Sequence, residues 1–298
     1  MTTATATAGA TTAPVDYLLH LADNALVLGQ RNAEWCAHGP VLEEDIALAN
    51  ISLDLIGQAR LLYQHAATVM NAPTLAAEAA ALPSEGAFAP WSGPAALNAN
   101  GASEDSLAYF RDEKDFRNFT LLELPHRGPL AGTAASDLDY ATTIVRNFLY
   151  DAFVLRQWAA LGSSADAHLA AIAAKSLKEV RYHLRHSRDW LVRLGDGTEE
   201  SHARVQAALE HLCPYTAEFW TVSADEAAAI ADGTGADPLA LRASWDSEVD
   251  EALAEATLRR PDGKGHLPRG KHGQHSEHLG LLLGEMQSLA RQHPGAVW

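Results

Sequence analysis

Asp54, Asp151, Glu179 and His183 are the side chains in this 298-residue sequence that could share a metal or a proton inside a helical protein, with Asn24 and Asn147 beside them. Carboxylates hold iron because they offset its charge, and imidazoles tune its redox behaviour. Two-metal carboxylate sites in helical bundles take one Glu from each of two helices and a Glu-x-x-His from each of the other two. This sequence departs from that pattern in four places. Asn24 stands for a Glu, and Asp54-Leu55-Ile56-Gly57 stands for Glu-x-x-His. Further along, Asn147 or Asp151 stands for the second Glu, and Glu179-Val180-Arg181-Tyr182 puts a tyrosine where the histidine belongs. His183 comes one position late. Three acids without a correctly spaced histidine read as an internal hydrogen-bonded network that fixes helix register rather than as a metal centre.

The elements that must position these groups are helices. Leu18, Leu21, Ala25 and Leu28 follow a three-and-four spacing within 14–38, predicting a helix with one apolar side that Gly39-Pro40 stops in a tight turn. Glu43, Glu44 and Asp45 favour the start of a second helix, running to about Asn71. It is apolar nearly all round (Ile46, Leu48, Ile51, Leu53, Leu55, Ile56, Leu61), which predicts burial on every side apart from the stripe Asn50, Asp54, Gln58. Residues 72–103, with four prolines, make a long crossover, followed by a short helix over 104–119. A third long helix, capped by Ser136, runs to Leu161 and breaks at Gly162-Ser163-Ser164. A fourth spans about 166–194 and ends at Gly195 as a left-handed cap. Helices from Thr198, over 225–260 and over 276–292 complete the chain, and no strand is expected. This is an all-α plan, two long hairpins joined by a crossover and followed by C-terminal helices, which is that of a ferritin-like four-helix bundle. Residues 1–13 read as a disordered tail and 14–298 as one domain.

Residues equidistant from a hairpin turn lie side by side. Asn24 and Asp54 each stand about fifteen residues from Gly39-Pro40 and are expected to face each other; Asn147 and Glu179 stand similarly about Ser163. Asp151 and His183 lie one helical turn from Asn147 and Glu179.

Composition narrows the function. A net charge of -16, from 38 acids against 22 Lys and Arg, repels phosphate and disfavours nucleic acid and anionic membrane as partners. Cys36 and Cys213 lack metal spacing and suit a reducing cytosol; both are expected to be buried. The Thr- and Ala-rich start has no leader-peptide pattern, and no apolar run approaches the roughly 18 residues needed to span a bilayer, so a soluble, cytoplasmic protein is expected. His183, His186, His272, His275 and His278 show i, i+3 spacings that lack a third ligand and read as surface or interface. Trp35, Trp158, Trp190 and Trp220 read as core. From Lys175 to Arg193 six Lys or Arg face only two acids. That inversion reads as a solvated face or as a dock for an acidic surface or an anionic cofactor tail.

Four strings carry a resemblance: DNALVLGQRNAEWCAHGPVLEEDIALANISLDLIGQAR (23–60), LAYFRDEKDFRN (107–118), EVRYHLRHSRDWLVRLGDGTEES (179–201) and HSEHLGLLLGEMQSLARQHPGAVW (275–298). In order and spanning nearly the whole chain, they resemble the C subunits of bacterial phenylacetyl-CoA epoxidases. The resemblance implies a ferritin-like structural subunit of a multicomponent monooxygenase that epoxidises the ring of phenylacetyl-CoA. A homologous catalytic subunit would carry the di-iron centre, and a separate flavin and iron-sulfur reductase would deliver electrons. It implies no cofactor, metal ligand or catalytic residue on this chain. Two rivals remain: a stand-alone di-iron oxidase using Asp54, Asp151, Glu179 and His183, and a substrate-binding role in which Arg181, Arg185 and Arg188 reach the phosphates of CoA held largely by the partner.

Overall fold

The computed structural model describes residues 11–72, 101–130, 138–262 and 267–296. The first hairpin is α1 (Val15–Ala33) and α2 (Leu42–Met70). Most of the expected crossover, residues 73–100, lies outside the described residues; beyond it come two short helices, α3 (Glu104–Tyr109) and α4 (Thr120–Glu123), with a 3-10 turn over Glu113–Asp115 between them. The second hairpin is α5 (Tyr140–Leu161) and α6 (Ala167–Gly195). Four more helices follow: α7 (Glu199–Leu212), α8 (Ala224–Ala231), α9 (Pro238–Glu255) and α10 (Glu277–Gln292). Among the described residues no strand forms, only one isolated bridge between Arg269 and Gln274, and no helix is long and apolar enough to cross a membrane. The all-α bundle with C-terminal helices is as expected.

Local chemistry sets the helix starts. The carboxylate of Asp139 caps α5 by accepting the Ala141 N–H at 3.0 Å; Ser136, the expected cap, lies outside the described residues. Asp166 caps α6 through the N–H groups of His168 and Leu169, both at 3.0 Å. Its other oxygen accepts from the Ala13 N–H at 2.9 Å and meets His65 Nε2 at 2.7 Å. Burial opposes ionisation there, but these hydrogen bonds hold the Asp166 carboxyl well below the usual carboxylate range. Ala13 is consequently buried and bonded, so the expected tail does not extend to residue 13; residues 1–10 lie outside the described residues. Pro214 ends α7, and a 3-10 stretch over Cys213–Trp220 takes over.

Three details of the expected plan are corrected. The turn of the first hairpin is not tight but spans residues 34–41. The helix expected over 104–119 is α3 plus the 3-10 turn. Gly195 does not adopt a left-handed cap. It sits within α6, where a Cβ would lie 2.5 Å from the Ala256 carbonyl oxygen, so close approach of the chain after α9 requires the glycine.

The two helices of the first hairpin also exchange the environments their patterns predict. α1, expected to bury one side, is buried at every position from Tyr17 to Gly29, because α4, α8 and α10 pack around it. α2, expected to be buried all round, leaves Leu42, Ile46 and Leu53 open. The core proper lies where Phe119, Phe153 and Phe219 meet. Phe153 stacks on Phe219 at 4.6 Å, and Phe119 meets Phe219 edge-on at 4.8 Å. All three are essentially fully buried, each contributing roughly 1.5–3 kcal/mol of apolar transfer. Trp35 and Trp158 belong to the core, whereas Trp190 and Trp220 are only partly buried. Cys213 is buried, but Cys36 is exposed, against expectation.

Candidate functional site

Of the expected site residues, Asp54, Glu179 and His183 gather along the seam where α2 and α6 run antiparallel. From one end of α2 to the other, Glu44 meets His186 Nε2 at 2.7 Å and Asp54 Oδ2 meets His183 Nε2 at 3.0 Å. One turn on, Gln58 Nε2 donates to Glu179 Oε2 at 3.0 Å, and further along His65 meets Asp166. Behind the seam, the Ser187 hydroxyl donates to Asp151 Oδ2 at 2.8 Å from α5. Burial pushes the Asp151 carboxyl up to about 7, against the opposing pull of His183 and the Ser187 hydrogen bond. Tyr140 donates to Glu44 at 2.7 Å; although burial opposes it, the bonds from Tyr140 and His186 hold Glu44 below its usual range.

Asn24 does not join this seam. Its Oδ1 accepts the Phe119 N–H at 2.7 Å, and its amide nitrogen lies 3.4 Å from His20 Nε2, so it anchors the loop before α4. The reason is register. A Cβ at Gly29 would touch Ile56 and Leu55 at 3.2 and 3.3 Å, so Gly29 and not Asn24 lies at the height of Asp54. The long 34–41 connection lets the first turns of α2 project past the end of α1. Asn147 does not meet Glu179 either. It is buried on α5, and both polar atoms of its amide are without a hydrogen-bond partner among the described residues, as is His183 Nδ1.

These donors do not fit a two-iron centre. Gly57 occupies the histidine position after Asp54, and Tyr182, in the position after Glu179, is 40% exposed on the outer surface. One oxygen each of Asp54, Asp151 and Glu179 is engaged by His183, Ser187 and Gln58, and Asn147 brings no negative charge to offset a metal. Among the described residues no three His, Cys, Asp or Glu side chains converge to hold an ion. His275, expected at the surface or an interface, is instead buried and paired within the protein, its Nδ1 lying 2.8 Å from Glu123.

A family model described as phenylacetic acid catabolic protein matches residues 1–298. The chain belongs to that family. It is also 42% identical, over 282 residues, to the C subunit of the 1,2-phenylacetyl-CoA epoxidase of Escherichia coli (strain K12), covering 95% of this chain and 98% of that one. The resemblance read from the four strings is thereby borne out.

In this family member the basic helix divides into two groups. Arg181 and Arg185 are exposed, and the Arg185 guanidinium lies 5.6 Å from the centre of the Tyr182 ring. Arg188 instead donates to Glu255 at 2.8 Å and pairs with Glu248 at 3.4 Å, so its charge is committed to α9. Sequence reasoning missed the partners that complete the seam, Glu44, Ser187 and His65. The signal was present. Asp54 and Gln58 are one turn apart, as are Glu179 and His183, so an antiparallel pairing of the two helices matches both at once. It also missed the enclosed network of Asp23, Tyr63 and Arg111 on the other side of α2.

Proposed function

We propose that this chain is the non-catalytic structural subunit of a multicomponent monooxygenase that epoxidises the aromatic ring of phenylacetyl-CoA. On this reading it pairs with a homologous di-iron catalytic subunit and keeps that partner soluble and correctly shaped. A separate flavin and iron-sulfur reductase supplies electrons to the partner, and all of this takes place in the cytoplasm. This chain holds no cofactor of its own.

One observation carries the reading: a bundle of the shape that holds two metals has Asp54 bonded to His183, Glu179 to Gln58 and Asp151 to Ser187 along and behind the α2–α6 seam, with a glycine and an exposed tyrosine at the histidine positions. The name of the Escherichia coli relative, a subunit of an epoxidase, agrees with it. Elemental analysis of the chain purified alone, and again with the di-iron subunit, tests it. Iron is expected only in the co-purified complex, at the partner's stoichiometry. Two irons in the lone chain would instead establish the stand-alone oxidase.

A further inference from the structure

Two buried cations stand where the end of α1 meets the start of α5, away from the seam. Arg146 on α5 has 0% of its surface exposed, and Arg31 on α1 is nearly enclosed. A guanidinium taken out of water is strongly unfavourable unless a counter-charge meets it. Arg31 has one, Glu34 at 2.6 Å, and gives its other N–H groups to the carbonyls of Glu123 and His278. Arg146 has none among the described residues. It donates to the Leu124 carbonyl at 2.6 Å and reaches His126 Nδ1 at 2.9 Å, while its Nε–H, sealed from solvent, meets no acceptor. The other acids of these segments are committed elsewhere, Glu123 to His275 at 2.8 Å, and Asp139 to the start of α5 and to Arg204 at 3.9 Å.

The ring nitrogen that Arg146 reaches is itself oversubscribed. His126 donates its Nε2–H to the Arg31 carbonyl, which leaves Nδ1 as the one acceptor of the ring. Trp35 Nε1 at 3.0 Å and Thr143 Oγ1 at 2.5 Å converge on it together with Arg146. Burial, and after it the Arg146 charge, push the His126 pKa well below its ordinary value, so the ring is neutral. Burial and the like charge of Arg31 also lower Arg146, to about 9, which still leaves it protonated at neutral pH. The cluster therefore holds two guanidinium charges against one carboxylate, and more donors than acceptors. A small monovalent anion that carries no hydrogen removes both imbalances; a divalent one would reverse the first. Glu34, 34% exposed, marks the side that opens to solvent.

We infer that the Nε–H of Arg146, with the donors gathered around His126, holds a chloride-sized monovalent anion between α1 and α5. The site goes beyond the proposed function and does not depend on it. The ion ties the end of α1, residues 124–126 and the start of α5 together through charge, so the folded chain takes it up and the unfolded chain does not.

The full chain, wild type and Arg146→Gln, is melted while chloride replaces gluconate at constant ionic strength, gluconate being too bulky for an enclosed site. Glutamine keeps a donor for the Leu124 carbonyl and removes the charge. The wild-type melting temperature is expected to rise with chloride; above the dissociation constant, each tenfold rise in chloride multiplies the folding equilibrium constant about tenfold. Arg146→Gln is expected to show no such rise. An equal rise in both forms would mean an adventitious ion only and overturns the site, as does no rise in either. Wild-type crystals grown in bromide decide the same point without a variant. An anomalous peak within hydrogen-bond reach of Arg146 Nε supports the site, and no peak there overturns it.

Discussion

Asp23 and Asp54 flank the same helical hairpin, yet Asp23 is fully enclosed while Asp54 leaves 39% of its side chain exposed. Asp23 accepts from the Tyr63 hydroxyl at 2.5 Å, from the Arg117 N–H at 2.7 Å and from both terminal nitrogens of Arg111. The Arg111 guanidinium also donates to the carbonyls of Leu107 and Asp115 and lies 4.3 Å from the centre of the Phe116 ring. With burial opposing it, the Asp23 charge still holds Arg111 more firmly protonated than usual. Asp54 is held by His183, whose other ring nitrogen is unpartnered among the described residues. The contrast separates two uses of an interior acid. The first closes a complete charge network that ties residues 107–117 to α1 and α2; the second sets register at a seam that opens to solvent, and its loss is correspondingly cheaper.

The largest effect should come from breaking the enclosed network. Asp23→Ala strands a buried guanidinium, and unfolding by denaturant is expected to show a loss of about 3–5 kcal/mol. The double variant Asp23→Leu with Arg111→Met removes both charges and is expected to recover much of that loss. Equal destabilisation by the single and double variants would mean that packing, not charge, dominates there.

Next in size is Asp151, behind the seam. Its folded-state carboxyl titrates near 7, above the usual value of about 3.9 in an unfolded chain. The folded protein therefore binds more protons than the unfolded chain between those values, and stability falls as pH rises from about 4 to about 7. Asp151→Asn keeps an acceptor for Ser187 and removes the titration. Relative to wild type, the variant is expected to gain up to a few kcal/mol between pH 4 and pH 8 in urea melts. A wild type that instead gains on the variant over that range would show that the charge on His183 outweighs burial.

The difference between these regions also explains what could be read from sequence. The helices and their order follow from local periodicity; the one-turn spacings of Asp54–Gln58 and Glu179–His183 match each other only once α2 and α6 are known to pair. The α1–α2 register does not, because it depends on how residues 34–41 fold back, and counting from Gly39-Pro40 therefore sets Asn24 against Asp54 where the fold does not. The exchange of environments between α1 and α2 is likewise invisible locally, since α4, α8 and α10 arrive from distant sequence to cover α1. Ser187 is legible in principle, one turn after His183, but a lone serine carries no signal until its partner's position is known. The departures from Glu-x-x-His are fully legible because they are matters of residue identity.

Along the seam itself the effects should be smaller still. Asp54→Ala leaves His183 buried without its partner, and a loss of about 1–2 kcal/mol is expected, with turnover retained by the assembled complex. Abolished turnover in a complex that still assembles would give Asp54 a role in the chemistry. The smallest effect is expected at Lys175, which is 59% exposed and 3.8 Å from Glu179. Solvent and salt screen that pair, so Lys175→Ala should stay within about 0.5 kcal/mol of wild type in denaturant. Glu179 keeps its bond from the buried Gln58 in either case, so the comparison isolates the exposed half of the same carboxylate. A loss well above about 1 kcal/mol on Lys175→Ala would show that the outer cation, and not Gln58, holds Glu179 in the seam, making the open network as charge-dependent as the enclosed one.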